Sequence, residues 1–147
     1  ISAADMADVV KSKAAEQDII IMTAAVADFC PSHPADEKIK KNDSSYESVI
    51  ELERTEDILS YLGAHKAKGQ LICGFSMETQ NMLENSKAKL AKKNADMIVA
   101  NNLKVAGAGF GTDTNVVTLI TADDCTELEI MDKSCVAARI MDRLLKM

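Results

Sequence analysis

Apolar and polar positions alternate in two rhythms along this chain, and the rhythms define most of its elements. Met6, Val9, Val10 and Ala14 recur at helical spacing behind Ser2 and Asp5, a pair suited to a capping box, so a helix is predicted from Ser2 to about Gln17. The unbroken β-branched run at 18–23 predicts a strand buried on both faces, as in parallel sheets. Residues 28–45 hold both prolines and a Ser/Asn/Asp cluster, and predict a long loop, disordered without ligand. Beyond it the pattern predicts a half-exposed strand at 48–53, a helix at 56–66 and a buried strand at 70–75. A lysine-rich helix follows at 81–94, then a third buried strand at 96–100 that ends on Asn101 and Asn102. Segments 116–120 and 127–130 form a hairpin pair, and 133–146 a closing helix. Buried strands alternating with helices predict an α/β parallel sheet with a more antiparallel tail, in one domain spanning 1–147.

Composition narrows this picture. The chain is 47% apolar but only 3% aromatic, so the core is expected to consist of Ile, Val, Leu, Met and Ala. Cys30, Cys73, Cys125 and Cys135 include no C-x-x-C pair, a pattern of reduced thiols and not of a zinc site. No apolar stretch approaches the roughly 20 residues of a membrane span. The chain opens on Ile1 with a helical pattern at once, and is expected to be a piece of a longer protein. A net charge of −6 argues against a general nucleic-acid surface. Yet of 17 basic residues, Lys38, Lys40 and Lys41 form one group, and Lys87, Lys89, Lys92 and Lys93 another. An acidic chain that concentrates lysine in this way has the material for a local anion site.

Ligands of open α/β sheets sit beyond the carboxyl ends of the strands, here 23–29, 75–79 and 101–102. Small residues at Thr23, Ala24 and Ala25 let a flat ring approach the backbone, and Asp28 supplies a carboxylate for hydroxyls, an amine or a metal. The same stretch also reads as a plain strand-to-loop turn followed by a solvated charged patch. Lys89 and Lys93 lie four apart on one helical face, a like-charge pair that costs an isolated helix roughly 0.2–0.5 kcal/mol and that a bound phosphate would offset. Glu78 reads equally as a site carboxylate or a helix-start charge. The glycine-rich loop at 107–111 lacks the G-x-G-x-x-G spacing of a dinucleotide fingerprint, and no Walker loop is present. His33, His65 and Cys30 have no partners arranged for nucleophilic catalysis.

Several of these segments together resemble the phosphopantothenoylcysteine synthetase family: Ala24-Ala-Val-Ala-Asp-Phe29, Glu37-Lys-Ile-Lys-Lys41, Gly74-Phe75 with Glu78-Thr79, Lys93-x-x-Asp96 with Ile98-Val-Ala-Asn101, and Phe110-Gly-Thr-Asp113-x-Asn115. The resemblance implies a Rossmann-like three-layer sandwich, with a mostly parallel sheet and an antiparallel extension, truncated at the amino terminus. It implies a CTP-dependent ligase joining 4′-phosphopantothenate to cysteine through an acyl-cytidylate, with Mg²⁺, in a cytoplasmic homodimer. By motif, the backbone at Met22, Thr23 and Ala24 and the side chain of Asp28 would contact the nucleotide. Lys38 would act as the catalytic cation on the triphosphate. Glu56, Asp57, Ile58, Leu59 and Phe75 would line the pocket, and Lys89 and Lys93 would complete it. Glu56 stands where the family often has proline. The resemblance assigns FMN only to a decarboxylase domain absent from this chain, and implies a nucleotide-binding half that is not a complete enzyme by itself. Two alternatives are a nicotinamide-dependent reductase and a non-catalytic dimerisation module; there are no nucleic-acid or membrane partners on any of these readings.

Overall fold

The computed structural model describes residues 2–38, 49–78, 81–102 and 111–147. Helix α1 runs over Ala3–Ala14, started by the expected capping box in which Ser2 and Asp5 exchange side-chain and backbone hydrogen bonds. Strand β1 (Ile19–Met22) follows, then β2 (Phe29–Pro31), β3 (Leu52–Arg54), α2 (Ile58–Ala64) and β4 (Leu71–Glu78). The chain continues through α3 (Met82–Lys92), β5 (Met97–Asn102), β6 (Thr114–Asn115), β7 (Val117–Ile120), β8 (Cys125–Glu127), β9 (Met131–Asp132) and α4 (Lys133–Leu144).

The main sheet has the order β1-β4-β5-β7-β8. Its first three strands are parallel, with Ile20 opposite Ile72 and Gly74 opposite Ile98; β7 and β8 extend it antiparallel. Alternation of side chains distributes the strands' residues between two cores. Ile72 of β4 joins Ala7 of α1 and Ile58 and Leu62 of α2 on one face. Cys73, Met97, Val99, Val117 and Leu119 meet Val136, Ile140 and Leu144 of α4 on the other. Helix α3 lies on the first face, where Ser86 and Ser76 share a buried 2.8 Å hydrogen bond. This is the three-layer α/β architecture expected, with helices on both sides of a mostly parallel sheet.

Three local expectations are corrected. Strand β1 is half-buried and not covered on both faces, because it stands at the end of the described sheet and packs only partly into each core. The segment at 28–45 is not a featureless loop: Phe29–Pro31 pairs antiparallel with Leu52–Arg54 in a small second sheet, and residues 39–48 lie outside the described part. Strand β8 occupies Cys125–Glu127, earlier than the apolar alternation at 127–130 suggests, because its register with β7 places Cys125 opposite Ile120.

Two glycines set how closely the first-face helices approach. A methyl group on Gly74 would come within 2.6 Å of Leu59, and one on Gly63 within 1.8 Å of the carbonyl oxygen of Lys93. The second contact is with backbone, which cannot swing aside as a side chain can. Gly63→Ala is therefore expected to destabilise the fold by about 3 kcal/mol or more, visible as a lowered midpoint in urea titration; an unchanged midpoint would show that α2 and α3 are not held at this distance.

Candidate functional site

The close approach of α2 to the end of α3 builds a pocket. Helix α3 ends at Lys92 with Lys93 as its C-cap, and Asn94 then takes the left-handed conformation (φ 49°) that asparagine tolerates better than most residues. The Ala95 amide donates to the Leu90 carbonyl at 3.1 Å and the Asn94 amide to that of Ala91 at 3.2 Å, a Schellman closure. The Asn94 side chain donates to the Gly63 carbonyl at 2.8 Å, tying this corner to α2. Lys89 and Lys93 thus occupy the last turn of α3, where the helix dipole favours cations and offsets part of their mutual repulsion.

Their ammonium groups have different surroundings. Lys89 donates to the carbonyl of Phe75 in β4 at 3.2 Å. Lys93, whose side chain is only 12% exposed, pairs with the Asp57 carboxylate and donates to Ser60 Oγ at 3.0 Å. Asp57 is also the N-cap of α2, accepting from the Ser60 amide at 2.9 Å. Burial alone would raise the Asp57 carboxyl pKa; the hydrogen bonds from Lys93 and the Ser60 amide outweigh that and hold it below the ordinary carboxylate value.

The opposite wall is the turn after β1. Thr55 fixes it, with its hydroxyl donating to the Ala27 carbonyl at 2.5 Å and its amide to that of Asp28 at 3.0 Å. Glu56 is held from α1 by a 2.7 Å ion pair with Lys11. The resulting cavity, of about 170 Å³, is lined by Met22, Ala24 and Asp28 from this turn, by Glu56, Asp57, Ile58 and Leu59 at the start of α2, and by Phe75, Lys89 and Lys93. Val26, Ala27 and Thr55 also line it. Of the residues singled out from sequence, Thr23 and Lys38 are exposed and outside this lining. Val26 and Ala27 fall within the 23–29 stretch marked from sequence, whereas Thr55 had no signal there, because it enters through its hydrogen bonds to Ala27 and Asp28.

Other candidates lie elsewhere. Asn101, at the end of β5, accepts from Asn115 at 2.8 Å and does not line the pocket. His65 stacks on Tyr61 with ring centroids 4.0 Å apart. The cysteines are all free; burial first, then the charge of Asp96, pushes the Cys73 thiol up to about 12. Lys40, Lys41, Thr79, Phe110 and the glycine-rich loop up to residue 110 lie outside the described residues, as does the side chain of Glu78. Among the described residues no group of three or more His, Cys, Asp or Glu is placed to hold a metal, and no helix is long and apolar enough to cross a membrane.

The model of the DNA/pantothenate metabolism flavoprotein C-terminal domain family matches residues 1–147. The chain belongs to this family. It is 48% identical over 144 residues to a coenzyme A biosynthesis bifunctional protein CoaBC of Bacillus subtilis, covering 97% of this chain and 35% of the relative. It is 46% identical over 145 residues to a cysteine/cysteine sulfinic acid decarboxylase of an unknown prokaryotic organism, covering 98% of this chain and 40% of that protein. A crystal structure of the C-terminal domain of a CoaBC bifunctional protein superposes with a TM-score of 0.78 at 41% identity, over 99% of this chain and 64% of that one. The chain thus spans well under half the length of these two curated relatives.

These findings correct the functional expectations. The family is described by a flavoprotein, and one close relative by a decarboxylase; none of these three relatives is named as a ligase or synthetase. The assignment as a CTP-dependent ligase with Mg²⁺ is accordingly replaced by membership of the flavoprotein C-terminal domain family, with relatives in coenzyme A biosynthesis. Confining FMN to a domain absent from this chain is corrected as well, since the flavoprotein family's own domain spans it. The flavin must then be tested against the residues present. Lys89 and Lys93 suit its phosphate. The remainder does not fit its ring: the cavity of about 170 Å³ is below the roughly 300–1,000 Å³ of ligand pockets. Its one aromatic lining residue, Phe75, packs against the core on the α4 side of the sheet.

The depressed pKa of Asp57 gives a testable pH dependence. A carboxyl whose folded pKa lies below its unfolded value contributes stability that is present above the unfolded value, near 3.8, and is lost as pH falls through the folded one. Asp57→Asn is expected to flatten the stability profile below about pH 4, measured by urea titration at successive pH values. A wild-type slope retained by the variant would assign that titration to other carboxyls.

Proposed function

We propose that this chain acts in coenzyme A biosynthesis as the carboxy-terminal domain of a larger enzyme, and that its pocket binds the phosphate-bearing part of a small-molecule ligand. The observation that carries the reading is the convergence of two ammonium groups, Lys89 and Lys93, on one cavity of a protein with net charge −6. A phosphate seated between them would gain charge-assisted hydrogen bonds from compact donors, in a corner where Lys93 is already largely withdrawn from water. The turn at Met22, Thr23 and Ala24 would offer backbone groups to the ligand's amide or other polar groups near its phosphate, with Asp28 accepting from its hydroxyl or amine donors. Thr23 and Lys38, exposed beside this turn and on the segment beyond it, would join only when ligand is bound. Residues outside this chain would supply the rest of the reacting groups, in keeping with the fraction of each relative that the chain spans.

Binding measured by calorimetry tests this directly, with inorganic pyrophosphate, flavin mononucleotide and cytidine triphosphate as separate probes. Lys89→Met and Lys93→Met are each expected to weaken whichever phosphorylated probe binds by about 1.5–3 kcal/mol, roughly ten- to hundredfold. Unchanged affinity in both variants would overturn the reading. The order of the three probes separates recognition of phosphate alone from recognition of a flavin or a pyrimidine nucleotide.

A further inference from the structure

The two lysines that face the pocket are not equivalent, and the difference points to a role for Asp57 that goes beyond lining. Among the described residues Lys89 has a carbonyl partner and no carboxylate in ion-pair range. Lys93 is matched on both sides, by the Asp57 carboxylate and by Ser60 Oγ at 3.0 Å. Asp57 is itself anchored at the first turn of α2 through the Ser60 amide, so its carboxylate is presented to Lys93 by the backbone and not by a floppy stem. The Asp57 side chain remains 49% exposed and lines the cavity.

We infer that Asp57 is a specificity-determining residue: it acts as a tethered counter-anion that occupies Lys93 in the empty pocket, so that an incoming phosphate must take its place on the ammonium group. This rests on the reading of the pocket as a phosphate site. The chemical consequence is discrimination. A bare anion displaces one carboxylate from Lys93 and leaves it beside its own negative charge, so it gains little. A ligand that carries hydrogen-bond donors next to its phosphate gives the released carboxylate a new partner, since ionised aspartate only accepts. The pocket thereby favours a phosphorylated organic molecule bearing hydroxyl or amine groups over inorganic phosphates. Glu56, the other carboxylate on this wall, is already paired with Lys11 at 2.7 Å, which leaves Asp57 as the exchangeable one of the two.

Asparagine caps a helix about as well as aspartate, so Asp57→Asn removes the charge while preserving the start of α2. The probe is inorganic pyrophosphate, titrated calorimetrically into wild type, Asp57→Asn, Lys93→Met and the double variant. Removal of the competitor is expected to tighten binding about two- to tenfold, and only where Lys93 is present; in the Lys93→Met background Asp57→Asn should gain nothing. Asp57→Ser, which also caps without charge, serves as a second variant should the first lose helicity. Equal or weaker binding in both Asp57 variants, with Lys93→Met still weakening it, would overturn the competitor role while leaving the phosphate site standing. Binding indifferent to Lys93 would overturn the phosphate site itself.

Discussion

The closure of α3 against α2 is the constraint on which the site depends. It requires a residue willing to turn left-handed at Asn94, a side chain there that reaches the Gly63 carbonyl, and a glycine at 63 so that the two backbones can come together. No Cβ can stand between Gly63 and the Lys93 carbonyl, so the distance between the helices is set by backbone and not by adaptable packing. Lys93 is the last residue before that turn, and its position follows from the same contacts. Shift the closure by a residue and the ammonium group leaves the mouth of the cavity.

The sheet supplies the other half of the arrangement. Parallel pairing of β1 with β4 brings Met22 level with Gly74, so that the turn after β1 opens beside the Phe75 carbonyl to which Lys89 donates. At Gly74 the missing side chain admits Leu59, drawing the start of α2 down onto the sheet. Asp57 then serves two local purposes at once, capping α2 and neutralising Lys93. The cost of holding cations four residues apart is met by the negative end of α3, by a carbonyl and by that carboxylate.

Much of this was legible in the sequence. The apolar runs at 18–23, 70–75 and 96–100 mark the parallel strands, of which β4 and β5 are the buried ones, because strands covered by helices need apolar residues on both faces. The lysine spacing at 89 and 93, the small residues after β1 and the carboxylate at 28 could likewise be read, since each is a matter of residue type at a fixed offset, while Asp57 entered only through the resemblance. What could not be read depends on pairing. A strand was expected at 48–53, but that Leu52–Arg54 would find Phe29–Pro31 is a contact across about twenty residues, and nothing in 28–31 marks its partner. Thr55 became part of the site only through that pairing, and the role of Gly63 rests on the approach of two helices. The resemblance named a ligase; the family match over residues 1–147 replaces that reading with membership of a flavoprotein C-terminal domain family.

The central claim is that the cavity between the turn after β1, the start of α2 and the end of α3 receives a phosphate group. Its most direct test is a nuclear magnetic resonance titration of the isotopically labelled chain with pyrophosphate. Shifts confined to Asp57–Ser60, Phe75 and Lys89–Asn94, with β7, β8 and α4 unmoved, are the result this account predicts. Shifts centred instead on β7, β8 and α4, with residues 57–60 and 89–94 silent, would contradict it.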